Sequence, residues 1–222
     1  MSNLQLTAAE ARVLAALVEK SVTTPQYYPM TVNAIMLAAN QKTSRSPVMN
    51  LGEGDTGAAL NALEQHRLVA RDDFGGRVPK WRHHFHNQLL LKPPMMAVLA
   101  TLILRGPQTL SELRANASGL GGPADIEGVT FALNDLSDRA QPLATLLPRA
   151  HGQKEARYAH LFCGQPDISE IVNATPARAS GDRNSSAALE ARIEALEARI
   201  EALEARVAEL EKYLPSLQQL QP

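Results

Sequence analysis

Lys80-Trp81-Arg82-His83-His84-Phe85 returns further along the chain as Arg157-Tyr158-Ala159-His160-Leu161-Phe162, with a cation first, an aromatic ring second, a histidine fourth and a phenylalanine last in both. Each stretch closes the same series of elements. Upstream of the first copy, Thr7 and Glu10 have the spacing of a capping box, and Val13, Leu14, Leu17 and Val18 recur at helical period, predicting a helix to about Lys20. A proline-punctuated loop, Thr24 to Pro29, leads to a second helix over Thr31 to Ala39. The polar stretch Asn40 to Gly54 then leads to a third helix capped by Asp55, with Ala59, Leu60 and Leu63 on its buried face. Strand-like runs Leu68 to Arg71 and Val78 to Phe85 flank a turn composition, Asp72-Asp73-Phe74-Gly75-Gly76, that joins antiparallel strands. Upstream of the second copy the order repeats. A helix from about Pro94 to Leu104 passes through Gly106-Pro107 to a second helix with its own capping box, Thr109 and Glu112. A third helix opens at Asp125, and a hairpin follows over Leu143 to Leu147 and Ala156 to Phe162.

Three helices followed by a two-stranded hairpin is the winged-helix arrangement, a variant of helix-turn-helix. The expected fold is therefore mainly α with small β-hairpins: a winged-helix domain over residues 1–87 and a second over 88–164. Between Gly164 and Ala187, prolines, serines, Gly181 and Asn184 carry little apolar periodicity, which reads as a flexible linker over 165–187. A coiled-coil helix is expected over 188–215 and a short tail over 216–222.

Long stretches of the first 164 residues resemble the YceH-like family of uncharacterised bacterial proteins. They are Leu6-Thr7 to Lys20, Thr23-Thr24-Pro25 with Tyr28-Pro29, Asn40-Gln41-Lys42-Thr43-Ser44-Arg45 with Pro47-Val48-Met49-Asn50-Leu51, Leu104-Arg105-Gly106 with Gln108-Thr109, and Arg157-Tyr158 with His160-Leu161-Phe162. The resemblance implies tandem winged helices and brings no activity and no functional residue with it.

The tail has the most regular pattern. Leu189, Ile193, Leu196, Ile200, Leu203, Val207, Leu210 and Leu214 step by four and three. Ile193, Ile200 and Val207 fall at a with leucine at d, the choice that favours parallel dimers. Arg192, Arg199 and Arg206 occupy g positions, and Glu197, Glu204 and Glu211 the e positions five residues later. In a parallel homodimer each arginine meets a glutamate of the partner, whereas an antiparallel pair sets like charges together. Arg192 and Arg199 have only Ala or Leu three and four residues away, so a single helix gives them no acidic partner. Pro215 stops the helix.

With 222 residues, 45% hydrophobic and a formal net charge of -1, the chain can bury one or two ordinary cores. The lone Cys163 cannot form an intramolecular disulfide and reads as packed, and the apolar run Pro93 to Leu104 is too short to span a bilayer. With no export pattern at the N-terminus, the expected compartment is the cytoplasm, with no membrane partner. Charge is uneven: residues 1–87 carry a small positive excess and residues 165–222 a negative one.

Gly52-Glu53-Gly54-Asp55-Thr56-Gly57 matches the dinucleotide fingerprint, but no buried strand precedes it and Glu53 sets a carboxylate where a pyrophosphate belongs, so the match is read as coincidence. Strand alternation sends His83 to one face and His84 and His86 to the other, too few ligands together for a metal. No cofactor, no metal and no enzymatic activity are expected, since no titratable pair stands at a catalytic spacing.

The same alternation places Lys80, Arg82, His84 and His86 on the outward face of the first wing, with Arg77 at its turn and Arg71 on the facing strand. Such a basic stripe suits a phosphate backbone, and Lys42 and Arg45 could add contacts before the third helix. In the second copy the equivalent outward positions are Arg157, Ala159 and Leu161, and the stripe is gone. The third helices offer little for reading bases: Thr56, Asn61, Glu64 and Gln65 in the first, Glu127, Asp135 and Asp138 in the second. The preferred expectation is a dimeric winged-helix nucleic-acid-binding protein, a transcription regulator gripping double-stranded DNA through its first domain. The alternative is a non-enzymatic adaptor whose winged helices contact another protein.

Overall fold

The computed structural model describes residues 4–72, 78–149 and 154–166. The expected linker, the coiled-coil helix with its heptad seam and Arg/Glu pairs, and Arg77 at the wing turn lie outside the described residues. What is described is mainly helical with two small antiparallel sheets.

Helix α1, Ala8–Thr23, opens on Thr7, whose hydroxyl accepts from the Glu10 amide while the Glu10 carboxylate accepts from the Thr7 amide. Strand β1, Met30–Thr31, precedes α2, Val32–Ala39, which Thr31 caps. Helix α3 spans Glu53–Gln65, three residues longer at its start than expected. Gly52 is its cap and Asp55 sits in the first turn, where its carboxylate takes the Gly52 amide at 2.9 Å. That bond occupies a donor a bound pyrophosphate would need, and no strand precedes it.

Strands β2, Val69–Asp72, and β3, Lys80–His83, pair antiparallel, and β1 pairs with the other edge of β3, giving the order β1-β3-β2. The expectation that β3 runs to Phe85 is corrected. The chain leaves the sheet at His84 and turns into a short helix α4, Phe85–Leu89, because Phe85 is drawn fully into the core.

The second half repeats the order with α5, Pro93–Arg105, α6, Leu110–Ala117, α7, Ile126–Ser137, and the pair β4, Ala144–Leu146, with β5, Tyr158–His160. Its caps are the expected ones, Thr109 with Glu112 for α6 and Asp125 for α7. The register repeats as well: Val69 faces His83 as Ala144 faces His160. The His84 amide donates to Leu68 at 2.7 Å as the Leu161 amide donates to Leu143 at 2.9 Å. Gln108 bridges to Tyr158 where Met30 pairs with Trp81, so the strand before the second helix also has a counterpart.

One apolar core runs through both halves. Residues Ala11 to Val18 of α1 and Ala97 to Leu104 of α5 are buried without interruption, the mark of helices covered on all sides, and the two pack on each other. Phe85 and Phe162, the matching ends of the two echoed stretches, meet at a 47° tilt with centroids 5.8 Å apart.

The polar stretch after α2 is a strap. Asn40 closes it by donating to the Leu51 carbonyl and accepting from the Leu51 amide, both at 2.8 Å. Inside, Arg45 is buried and donates to the Ala38 carbonyl at 2.8 Å and to both oxygens of Glu19. Arg12 of α1, also buried, donates to the carbonyls of Ala39 and Pro47. The strap then ties to the second half: the Ser46 amide donates to Leu104 at 2.9 Å and Arg105 to the Ser44 hydroxyl at 2.7 Å.

Removing Arg45 leaves the Ala38 carbonyl without its donor and the half-buried Glu19 carboxylate with only Lys20, at 3.5 Å. Arg45→Met should therefore cost about 2 to 4 kcal/mol of stability, whereas Lys42→Ala at the exposed neighbour should stay within about 0.5 kcal/mol. Urea denaturation of the two variants checks both values.

Candidate functional site

Three of the expected phosphate contacts, Arg45, Arg71 and Arg82, are already engaged. Arg45 is corrected outright: its side chain is fully covered, and its guanidinium is spent on Ala38, Gln41, Ser44 and Glu19. Arg82 is exposed on β3 and pairs with Asp72 across the hairpin. Arg71 donates to Asn61 of α3 at 3.0 Å, lies 3.7 Å from Glu64, and sets its guanidinium 4.9 Å from the centre of the Trp81 ring.

His84 and His86 do not continue the outward face, since strand alternation ends at His83. His84 caps α4, and His86 lies on it with its ring 5.9 Å from that of His83, the residue from which alternation was to separate it. Lys42 and Lys80 remain exposed and make no ion pair among the described residues. In the second half Ala159 is buried rather than outward, and Arg157 is held by Glu112 at 2.7 Å. Cys163, read as packed, is exposed.

The structure brings together something else. Between α3, the start of α2 and the first hairpin lies an open groove of about 570 Å³, lined among others by Asn33, Gly57, Asn61, Arg71, Val78 and Trp81. Trp81 is 3% exposed, and its indole N–H has no acceptor among the described residues. The groove is open because the outward face of α3 is nearly bare. A Cβ built at Gly54 or Gly57 meets nothing within 4 Å. Glycine inside a helix costs roughly 1 kcal/mol relative to alanine, and no packing within the described residues requires either one. Sequence reasoning rejected the glycine pattern as a nucleotide motif and missed this bareness, whose signal was two glycines and an alanine on the solvent side of a helix.

Two half-buried histidines at matching positions, both present in the echoed stretches, have surroundings that the sequence did not reveal. His83 approaches the Ser21 hydroxyl at 3.1 Å through Nε2, and its amide donates to the Tyr28 hydroxyl at 2.6 Å. Burial, helped by His86 and His84, lowers the His83 pKa to about 4; burial, helped by Arg12, lowers that of His160 to about 4. Burial also pushes the Tyr28 phenol up to about 12. Among the described residues no three His, Cys, Asp or Glu side chains converge as a metal site would need, and no helix is long and apolar enough to cross a membrane.

A duplicated three-helix and hairpin unit, with a strapped interior and an open groove, is thus the class this chain represents. Residues 6–153 match the family model described as "Protein of unknown function, DUF480". A UPF0502 protein of Geotalea uraniireducens is 47% identical over 160 residues, covering 72% of this chain and 73% of that one. One from Geobacter sulfurreducens is 42% identical over 186 residues, covering 84% of each chain. One from Burkholderia ambifaria is 44% identical over 168 residues, covering 76% of this chain and 71% of its own. The chain belongs to this family of uncharacterised bacterial proteins.

The two histidines set an acid limit on stability. Both have folded-state pKa values below the ordinary 6.5, so the unfolded chain binds more protons between pH 6.5 and 4. Stability should be flat above pH 6.5 and fall on acidification through that window, by up to about 1.4 kcal/mol per pH unit for each histidine. Urea midpoints measured from pH 8 to 4.5 test this, and His83→Gln should remove part of the slope.

Proposed function

We propose that this chain is a non-enzymatic protein-interaction module: two tandem winged helices, 1–87 and 88–164, held as a parallel homodimer by the heptad tail and presenting the groove beside α3 as a docking face. One observation carries the choice over DNA binding. Three of the cations counted for phosphate are engaged within the chain, Arg45 in the strap, Arg82 on Asp72 and Arg71 on Asn61 and Trp81, leaving Lys42 and Lys80 exposed, while the helix that would enter a major groove shows Glu53, Gly54, Asp55, Ala58 and Asn61 to solvent. Carboxylates at the first turn of that helix repel the backbone they would have to approach. A half-exposed arginine held in place over a buried tryptophan, with carboxamides beside it, instead fits a polypeptide, since arginine is enriched at protein interfaces.

Titration of labelled duplex DNA at several salt concentrations separates the two. The module should show no Kd below about 1 μM at physiological salt and no loss of binding on Lys42→Glu with Lys80→Glu. A photo-reactive benzoylphenylalanine at position 54 of the full chain should capture polypeptide in cells. Capture of nucleic acid, or tight DNA binding with a steep salt slope that the double reversal abolishes, returns the regulator reading.

A further inference from the structure

Arg105 ends α5 without a counter-charge. The carbonyls of that helix end already have donors: Thr101 accepts from the Gln108 side chain, Leu102 from the Gly106 amide and Leu104 from the Ser46 amide. The guanidinium is therefore not spent on its own helix. Among the described residues its single hydrogen bond goes to the Ser44 hydroxyl, at 2.7 Å, and it makes no ion pair. The carboxylate it feels, Glu19, is already held by Arg45 at 2.6 Å and by Lys20 at 3.5 Å. Arg45 brings its own charge beside Arg105 by donating to the Ser44 carbonyl, and Arg12 brings another where both reach the end of α2. Burial, with Glu19 opposing and Arg45 adding, lowers the Arg105 pKa. Lys20, Arg45 and Arg105 thus share one carboxylate, an imbalance that half-buried charges bear at a cost.

We propose that the junction between the strap and the end of α5 binds a phosphate dianion, free or as the terminal monoester of a small molecule. Two serine hydroxyls stand beside Arg105. Ser44 accepts from the guanidinium, and its own O–H has no acceptor among the described residues, so it is available to donate. The Ser46 hydroxyl oxygen lies 3.9 Å from where a Cβ on Gly106 would stand, next to Arg105 in the chain, and it makes no hydrogen bond among the described residues. Ser44 reaches its place in the left-handed region, φ 59°, a conformation that costs a residue with a Cβ and is concentrated at ligand sites. Solvent reaches the junction, since Ser46 is exposed and Ser44 and Arg105 are half-buried. A guanidinium flanked by hydroxyls suits phosphate oxygens, with the planar fork taking two and the O–H groups others. Arg12 and the exposed Lys42, neither in an ion pair among the described residues, favour two negative charges over one. A monoester carries two, whereas each diester of a duplex backbone carries one.

This site shares no residue with the groove and stands or falls without it. Titration calorimetry of the full chain at about pH 8, where phosphate carries two charges, should give one site per chain for inorganic phosphate at an ionic strength held by sodium chloride. Glycerol 1-phosphate under the same conditions separates the two sources: tighter binding than inorganic phosphate assigns the monoester, weaker binding the free anion. Arg105→Gln should weaken binding at least about tenfold, and Ser46→Ala about threefold. Because Arg105→Gln also cuts the tie to Ser44, Ser46→Ala, at an exposed hydroxyl the fold does not use, carries the test should the first variant melt early. Heats no different from the chloride control, or an affinity that neither variant changes, overturn the inference. So does duplex DNA that displaces bound phosphate at a lower concentration than glycerol 1-phosphate does, since the junction then grips a polymer backbone.

Discussion

The C-terminal end of α2 finishes inside the protein, with Ala38 and Ala39 buried, and the carbonyls of a helix end are costly to bury without donors. Two arginines from different elements meet that need. Arg12 reaches in from α1 to Ala39, and Arg45 reaches back from the strap to Ala38. Both bring positive charge to the negative end of the helix dipole. A guanidinium suits the place better than an ammonium, since its planar fork lets Arg45 hold Ala38, Gln41 and both oxygens of Glu19 together. The cost is visible in Arg12, whose pKa is lowered to about 10 by burial and by Arg45 nearby. At about 10 that value still lies well above neutral pH, so Arg12 stays charged there. With α2 fixed, the strap can run on to Leu104 and couple the first half to α5.

Repetition of the backbone does not repeat the chemistry. Met30 pairs with Trp81 as an apolar strand residue, while its counterpart Gln108 is buried and polar. Gln108 donates from its amide to Thr101 and Gly106 and accepts from Asn116. Arg71 stacks on Trp81 at the position where the second half has an exposed Leu146. Arg157, which corresponds to the exposed Lys80, is pinned to Glu112 and to the Pro107 carbonyl. The halves keep the hydrogen-bond register, which backbone geometry dictates, and diverge at side chains that register leaves free.

That division explains what could be read from the chain in advance. Caps were legible because they are local: Thr7 with Glu10, Thr109 with Glu112, and Asp125 each need only a spacing of three residues. Helix order and strand pairing followed from periodicity and from the echoed hairpin strand. The end of β3 was not legible, because alternation cannot reveal that Phe85 turns into the core and takes His84 and His86 off the strand. Arg45 was misjudged for a deeper reason. A cation in a polar stretch looks solvated, and only the path of the strap over the end of α2 makes it a buried donor. The groove was illegible for the opposite reason, since it depends on side chains that are missing, and pattern reading weighs what is present.

Such commitments decide what the surface can do. An arginine that satisfies buried carbonyls cannot turn outward to a phosphate without leaving them unpaired, a loss of about 1 to 3 kcal/mol for each orphaned group. A single exposed phosphate contact in salt returns less than that. Arg45 is therefore fixed in the interior by the helix end it serves. Arg71 is different, being 46% exposed and held by a carboxamide, a distant carboxylate and a ring face. Those contacts orient the guanidinium without consuming all five of its donors. What remains on the first half is an oriented arginine over a tryptophan beside a bare helix face, whose first turn carries Glu53 and Asp55 and so disfavours a line of phosphates.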